Sequence, residues 1–356
     1  MRGLVLLAVL MTATLALAQE GPADRLWELY KAGRFEDVVR EGKVEITTGT
    51  ATAQVNLAVG RSLVDLERYQ EGLVYLETAA RMDPDRTWVY AWAKNYAGAA
   101  YFGLDRIEEA RAAWIAARDC AATRNATRNA VNNLNFLGLA ERFDSWETFT
   151  SEHFIFHYSS HLENFDGAAY ARSHEKAYEV ISAWFGGGPA EPVKFFVWSD
   201  QEEASEAGMP ALGFARPELN LVHARVEQTV GHEMTHVIAV HALEPTVQVG
   251  LINEGTAVYH DQTGRDQLAK ARRALADRGE EGVKVSVAAL WEDWSLLPTE
   301  VSYPLGGAWV KVLVDQGGRE KFLEFFTDQS LDHAREVYGA DLQTWLDEFE
   351  TALYGD

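Results

Sequence analysis

His232 and His236 stand four residues apart with Glu233 between them, in the segment Val230-Gly231-His232-Glu233-Met234-Thr235-His236-Val237. On a helix, side chains four apart project from one face a turn above each other, so both imidazoles can reach a single zinc ion. A catalytic zinc takes three protein ligands and keeps a fourth position for water, so a third donor is required. The run from Leu251 to Tyr259 offers one. It reads as an apolar helix carrying a single carboxylate, Glu254, and a carboxylate on such a stretch needs a cation to compensate it. Asp261 is an alternative third ligand with no supporting motif; it and His260 fit better as groups that orient the ligands or face a substrate. A second zinc pattern requires glycine three and histidine six residues after His236. The chain has Ala239 and Ala242 there, and His241 is one position out of register. A purely structural zinc is disfavoured because such sites fill four positions, typically with cysteine, and the chain has one cysteine.

The elements that must carry these residues begin near Trp146. Phe149 to Tyr158 and Val193 to Trp198 are short apolar, β-branched and aromatic runs that predict strands. Between them the pattern predicts a helix from about Ala168 to Phe185, ended by Gly186-Gly187-Gly188-Pro189. Gly213 to Ala215 and Leu219 to His223 are further strand candidates. Either Leu219 to His223 or Leu212 to Ala215 is expected to form the sheet edge along which an extended substrate pairs. Beyond His232 almost everything reads as helix, which makes the layout α+β rather than an alternating parallel sheet. Gly231 just before the first histidine is expected to weaken the local helix slightly.

Ahead of this half lie three similar segments, Ala32-Gly33-Arg34-Phe35, Leu66-Glu67-Arg68-Tyr69 and Leu104-Asp105-Arg106-Ile107. Phe35, Tyr69 and Ile107 occupy one repeat position, at spacings of 34 and 38 residues. Each is expected to start the second helix of a pair, with a small residue three further on that lets the helices approach closely. Asn56 to Leu66 and Tyr69 to Met82 form the clearest pair, with Leu73, Leu76 and Ala80 on one face. The rings of Trp88, Tyr90, Trp92, Tyr96 and Tyr101 are read as repeat core rather than binding surface. Cys120 is read as a small buried hydrophobe.

His232-Glu233-Met234-Thr235-His236, Asn253-Glu254-Gly255-x-Ala257 and Tyr303-Pro304-Leu305-Gly306-Gly307-Ala308-Trp309-Val310 together resemble the peptidase MA-like domain of the gluzincin metallopeptidases. The likeness spans 146–353. It implies a zincin-like fold with a small mixed sheet, an active-site helix and a mostly helical C-terminal part. One zinc per chain would sit on His232, His236 and Glu254, with Glu233 as general base for a water that attacks a peptide carbonyl. Tyr303 would be the hydrogen-bond donor to the developing oxyanion, with Tyr259 and His260 as rivals. The Gly-x-Met-Glu-Asn segment with which aminopeptidase relatives grip a free amino terminus is absent, which points to an endopeptidase. The segment 19–143 resembles a tetratricopeptide array of about three units, which implies a surface for substrate or a protein partner. The alternative function is a non-catalytic binding protein in which the repeats act and the peptidase domain is a retained scaffold.

The remaining features bound where this chemistry takes place. With 356 residues, 47% of them hydrophobic, the chain can fill two domain cores. Met1 and Arg2, the apolar run from Leu4 to Ala16 and the Ala16-Leu17-Ala18 site predict a signal peptide over 1–18, hence a periplasmic or secreted protein with no membrane span after cleavage. A formal net charge of −22 with no basic cluster repels phosphate backbones and argues against nucleic acid as a partner.

Overall fold

The computed structural model describes residues 21–209, 211–278 and 284–355, so the expected signal peptide lies outside the described residues. Among them are seventeen α-helices and one five-stranded sheet, an α+β protein. The chain divides into two compact units between Ala140 and Glu141.

The first unit is all helix: α1 (Pro22–Lys31), α2 (Phe35–Thr47), α3 (Ala53–Asp65), α4 (Tyr69–Arg81), α5 (Trp88–Gly103), α6 (Ile107–Asp119) and α7 (Arg124–Phe136). The three similar segments build the same turn three times. Gly33, Glu67 and Asp105 each take a left-handed φ, of 71°, 59° and 57°. The following arginines, Arg34, Arg68 and Arg106, pair with acids three residues on: Asp37, Glu71 and Glu109. Each turn launches a helix of 13 residues at Phe35, Tyr69 or Ile107. Val38, Gly72 and Ala110, three residues further, are buried, and a Cβ on Gly72 would sit 3.1 Å from the Gly60 carbonyl oxygen, so α3 and α4 touch at backbone level. The longer second spacing comes mostly from α5, which has 16 residues where α3 has 13. Helix α3 begins at Ala53 rather than Asn56 because Thr52 caps it, accepting from the Val55 amide.

Trp88, Tyr90, Trp92, Tyr96 and Tyr101 are partly buried and pack against the core of this unit, whose fully buried positions on α5 are Val89, Ala91, Ala93, Ala97 and Ala100. One expectation for this unit needs correction. Cys120 is the partly exposed C-cap of α6 and not a core residue.

The second unit starts with β1 (Glu147–Thr150) and β2 (Phe154–Tyr158), an antiparallel pair where the sequence suggested one strand. Ser151 turns the chain, its amide donating to the Phe154 carbonyl. There follow α8 (Gly167–Phe185), β3 (Val193–Trp198), α9 (Gln201–Glu206), β4 (Gly213–Arg216) and β5 (Leu221–Arg225). The strand order is β1-β2-β3-β5-β4, parallel across β2, β3 and β5 and antiparallel at both margins. Of the two candidate segments, the one at a sheet edge is therefore β4, opposite the other edge strand β1, and Leu221–Arg225 is interior. Alternation along the strands sends Phe154, Phe156, Phe195, Val197 and Val222 to one face, where they join Ile181 and Phe185 of α8 in the core. On the other face His157, Phe196, His223 and Phe214 stack ring on ring across four strands.

After the sheet come α10 (His232–Leu243), α11 (Gly250–Tyr259), α12 (Gln267–Ala276), α13 (Val287–Glu292), α14 (Thr299–Gly317), α15 (Arg319–Phe326), α16 (Leu331–Tyr338) and α17 (Asp341–Tyr354). Met234, Val237 and Ile238 seat α10 on the same core as α8. Helices α11 and α14 meet through glycines: a Cβ on Gly255 would lie 2.5 Å from the Gly306 carbonyl oxygen, and one on Gly306 would lie 2.9 Å from the Leu251 carbonyl oxygen.

Candidate metal centre

His232 is the first residue of α10, and the residue before it is the reason the helix can start there. Gly231 has φ +105°, and a Cβ at that position would meet the His260 carbonyl oxygen at 2.4 Å. It is thus a helix-starting hinge rather than a weak point within a helix, the role expected from sequence. Its carbonyl accepts from both the amide and the hydroxyl of Thr235, which fixes the first turn. One turn later His236 projects beside His232, with ring centroids 5.4 Å apart.

Glu254 arrives from α11. Its Oε2 lies 3.5 Å from Nε2 of His232 and 3.6 Å from Nε2 of His236. These three side chains form a convergent donor group, each offering a ligand atom within 4.8 Å of the others. Hydrogen-bonded N and O atoms sit about 2.7–3.2 Å apart, so the spacing is too wide for simple hydrogen bonds. Donors on a tetrahedral zinc with bonds of about 2.0–2.2 Å stand roughly 3.3–3.6 Å from one another, and the observed separations fall there. The residues present therefore fit one small divalent ion.

The electrostatics agree with that geometry. Burial acts to raise the Glu254 pKa, yet the two imidazoles beside it hold the carboxyl well below the usual carboxylate range. Burial likewise disfavours a charged His236, but Glu254 outweighs it and raises the imidazole above its ordinary value, with Glu233 and the Asn253 side chain adding to the effect. A concentration of negative charge that favours cations is what a metal would meet here.

Glu233 is buried at 5% exposure. Its Oε1 accepts a 2.7 Å hydrogen bond from Nε2 of Gln228, whose own Oε1 accepts from the Thr229 amide. Against its other side lies Gly213 of the edge strand, where a Cβ would come within 2.5 Å of the same Oε1. The ring of Tyr303, on α14, stacks on His232 at 6.0 Å and packs against Trp294. Burial first, then the charges of Glu254 and Glu233, push its phenol above the ordinary range, so it remains a proton-bearing donor. His232, Glu233, His236, Glu254, Gln228, Gly213 and Tyr303 line one cleft of about 700 Å³, together with Phe214, Arg265 and Glu300.

The structure thus brings together His232, Glu233, His236, Glu254 and Tyr303. It does not gather the rivals. Oδ1 of Asp261 accepts from the amide and hydroxyl of Thr263, and Asp261 stands outside the donor group although it lines the cleft. The His260 ring is packed against Trp184 and Phe185, where burial pushes its pKa down to about 4. His241 bonds instead to the Pro217 carbonyl. Sequence reasoning missed Gln228 and gave Gly213 and Asn253 no role of their own. Asn253 precedes Glu254 on an apolar helix, a signal that could have marked it; Gln228 lies in a turn and carries none. Compared with known proteins, the chain matches no family model and no curated relative.

Proposed function

We propose that the second unit is a zinc-dependent peptidase of the gluzincin type, and that the first is a tetratricopeptide-like array serving substrate or partner binding. The observation that carries the reading is the spacing of His232, His236 and Glu254, wider than hydrogen bonds and matched to co-ligands of one ion, with a second carboxylate, Glu233, beside them in an open cleft. His232, His236 and Glu254 would hold the ion. A bound zinc supplies Lewis acidity that polarises a carbonyl and makes water acidic near neutral pH.

The rest of the work falls to the chain. With Oε1 of Glu233 engaged by Gln228, Oε2 is the free acceptor for a proton from the attacking water. The water oxygen bonds to the carbonyl carbon, the carbon–nitrogen bond breaks, and the proton held on Glu233 passes to the leaving amine. Tyr303 donates a hydrogen bond to the carbonyl oxygen as charge builds on it. The free edge of β4 offers backbone groups to an extended polypeptide, and Gly213 on that strand touches Glu233, so a peptide paired there passes the base.

Metal analysis of purified protein is expected to give about one zinc per chain, with the metal lost in Glu254→Ala. Glu233→Gln is expected to keep the metal and lose casein hydrolysis. Wild-type protein of normal fold with no zinc overturns the metal assignment; a zinc-loaded wild type as inert as Glu233→Gln on many unfolded proteins overturns the catalytic one.

A further inference from the structure

Within the first unit one arginine is surrounded by rings and has no acid. The Arg61 guanidinium, on α3, lies 4.2 Å from the ring centroid of Tyr30, 4.6 Å from Tyr96, 5.6 Å from Trp92 and 6.0 Å from Trp27. These rings come from α1 and α5, which meet over α3 through Trp27–Trp88 and Tyr30–Tyr96 contacts. Its Nε is buried without a hydrogen-bond partner, and among the described residues no carboxylate pairs with it. Asp65, one turn along the same helix, is taken by the Tyr30 hydroxyl. Trp27 repeats the pattern, since its indole Nε1 is also a buried donor without an acceptor. Both residues line a cavity of about 340 Å³ whose walls include Leu57, Trp88 and Trp92.

A buried donor left unpaired forfeits its hydrogen bond to water, and two of them on one cavity wall invite an acceptor. Stacked rings hold a guanidinium in a fixed plane and leave its in-plane N–H fork for an acceptor. The ligand must therefore bring an acceptor, and a carboxylate matches the fork best. Its charge is limited by what else lines the cavity: Asp24 and Glu28 are there, and Lys31 is already paired with Glu28. One unpaired cation among acids, on a chain of formal net charge −22, favours a monoanion over phosphate or a polyacid. The volume is at the low end of small-ligand pockets, and the tryptophan walls suit a flat apolar body.

We propose that this cavity binds a monocarboxylate with an aromatic or bulky apolar body, either a small free acid or the last residue of a peptide with a free C-terminus. The site is independent of the metal centre. Calorimetric titration of the full-length chain, treated with EDTA so that no metal competes for carboxylates, uses N-acetyltryptophan and N-acetyltryptophanamide as probes. The acid is expected to bind at least about tenfold more tightly than the amide, as loss of a charge-assisted hydrogen-bond pair predicts. Arg61→Lys is expected to abolish that preference, because an ammonium lacks the planar fork. Trp92→Leu, which leaves Arg61 in place, is expected to weaken both probes and keeps the test informative should the arginine variant fail to fold. A tryptophan-terminated tetrapeptide that binds more tightly than N-acetyltryptophan identifies the source as a chain terminus; equal affinity identifies a small acid. No binding of either probe, equal affinity for acid and amide, or an undiminished preference in a folded Arg61→Lys overturns the proposal.

Discussion

Gly255→Ala tests how Glu254, the third ligand of the proposed metal centre, is held. A Cβ there would lie 2.5 Å from the Gly306 carbonyl oxygen and 2.6 Å from its carbon, where ordinary contact begins at 3.4 Å. The obstacle is backbone, which cannot swing aside as a side chain can, so α11 and α14 must part by about 0.9 Å, the 3.4 Å contact less the 2.5 Å available. Overpacking of this kind costs about 1–3 kcal/mol, which in a unit of this size lowers Tm by roughly 2–12 °C. The neighbouring residue is Glu254, and metal sites tolerate displacements of only about 0.2 Å, so zinc affinity is expected to fall about 10–100-fold. Zinc competition with a chromogenic chelator and thermal unfolding of metal-free protein measure the two effects. Gly187→Ala serves as control, since its Cβ would meet nothing closer than Ala242 at 3.7 Å. Wild-type zinc affinity in Gly255→Ala, with or without a lowered Tm, would falsify the claim that this helix contact sets Glu254.

Three further outcomes follow from the same geometry. Tyr303→Phe is expected to retain zinc and lower kcat by about 10²–10³ with little change in KM, as loss of an oxyanion donor does; a changed KM with kcat intact would assign Tyr303 to substrate binding instead. Because Glu254 raises His236 above the ordinary imidazole value, protons compete for that ligand from above pH ~6.5 downward, and zinc affinity is expected to decline steadily from pH 8 to pH 5; affinity that is flat over this range refutes His236 as a ligand. His174 is buried neutral in α8, its pKa lowered by burial to about 4, whereas the unfolded chain titrates near 6.5. The unfolded state therefore takes up the proton first, and stability present above pH ~6.5 is lost as pH falls toward 4, by up to about 3 kcal/mol. Urea unfolding at pH 7 and pH 4.5 in wild type and His174→Phe checks this, and an equal acid loss in both would show that the imidazole is not its source.

What could be read from the sequence was what is encoded locally. Two histidines at helical spacing and one carboxylate on an apolar helix are patterns of neighbours, and the structure brings them together. The repeated turns at Arg34, Arg68 and Arg106 are equally local, since each is completed by an acid three residues on. Failures came where long-range packing decides. Ser151-Glu152-His153 carries no strong turn residue, so the break between β1 and β2 is settled by pairing across the sheet. Which strand is the edge depends on β5 inserting between β3 and β4, a topological fact with no local trace. Gly231 looked like a poor helix residue because its crowding neighbour, the His260 carbonyl, lies 29 positions away in sequence. The rings of α5 pack on the core as their hydrophobicity suggests, but the alanines that take its fully buried positions are not conspicuous in sequence.

In the proposed peptidase the same division between local and distant contributions separates metal binding from turnover. All three donors fall between His232 and Glu254, on two consecutive helices, whereas Tyr303, Gly213 and Gln228 reach the cleft from three other segments of the chain. Changes in those segments should alter proton transfer, oxyanion stabilisation or substrate path while the donor triad stays intact. The exception is the α11–α14 glycine contact, where Glu254 and Tyr303 are carried by helices whose backbones touch. In the proposed peptidase a displacement there would move the third metal ligand and the oxyanion donor together, so Gly255 and Gly306 are the positions at which zinc affinity and kcat should fall in step. At positions that neither supply a ligand nor form this contact, the two quantities should vary independently.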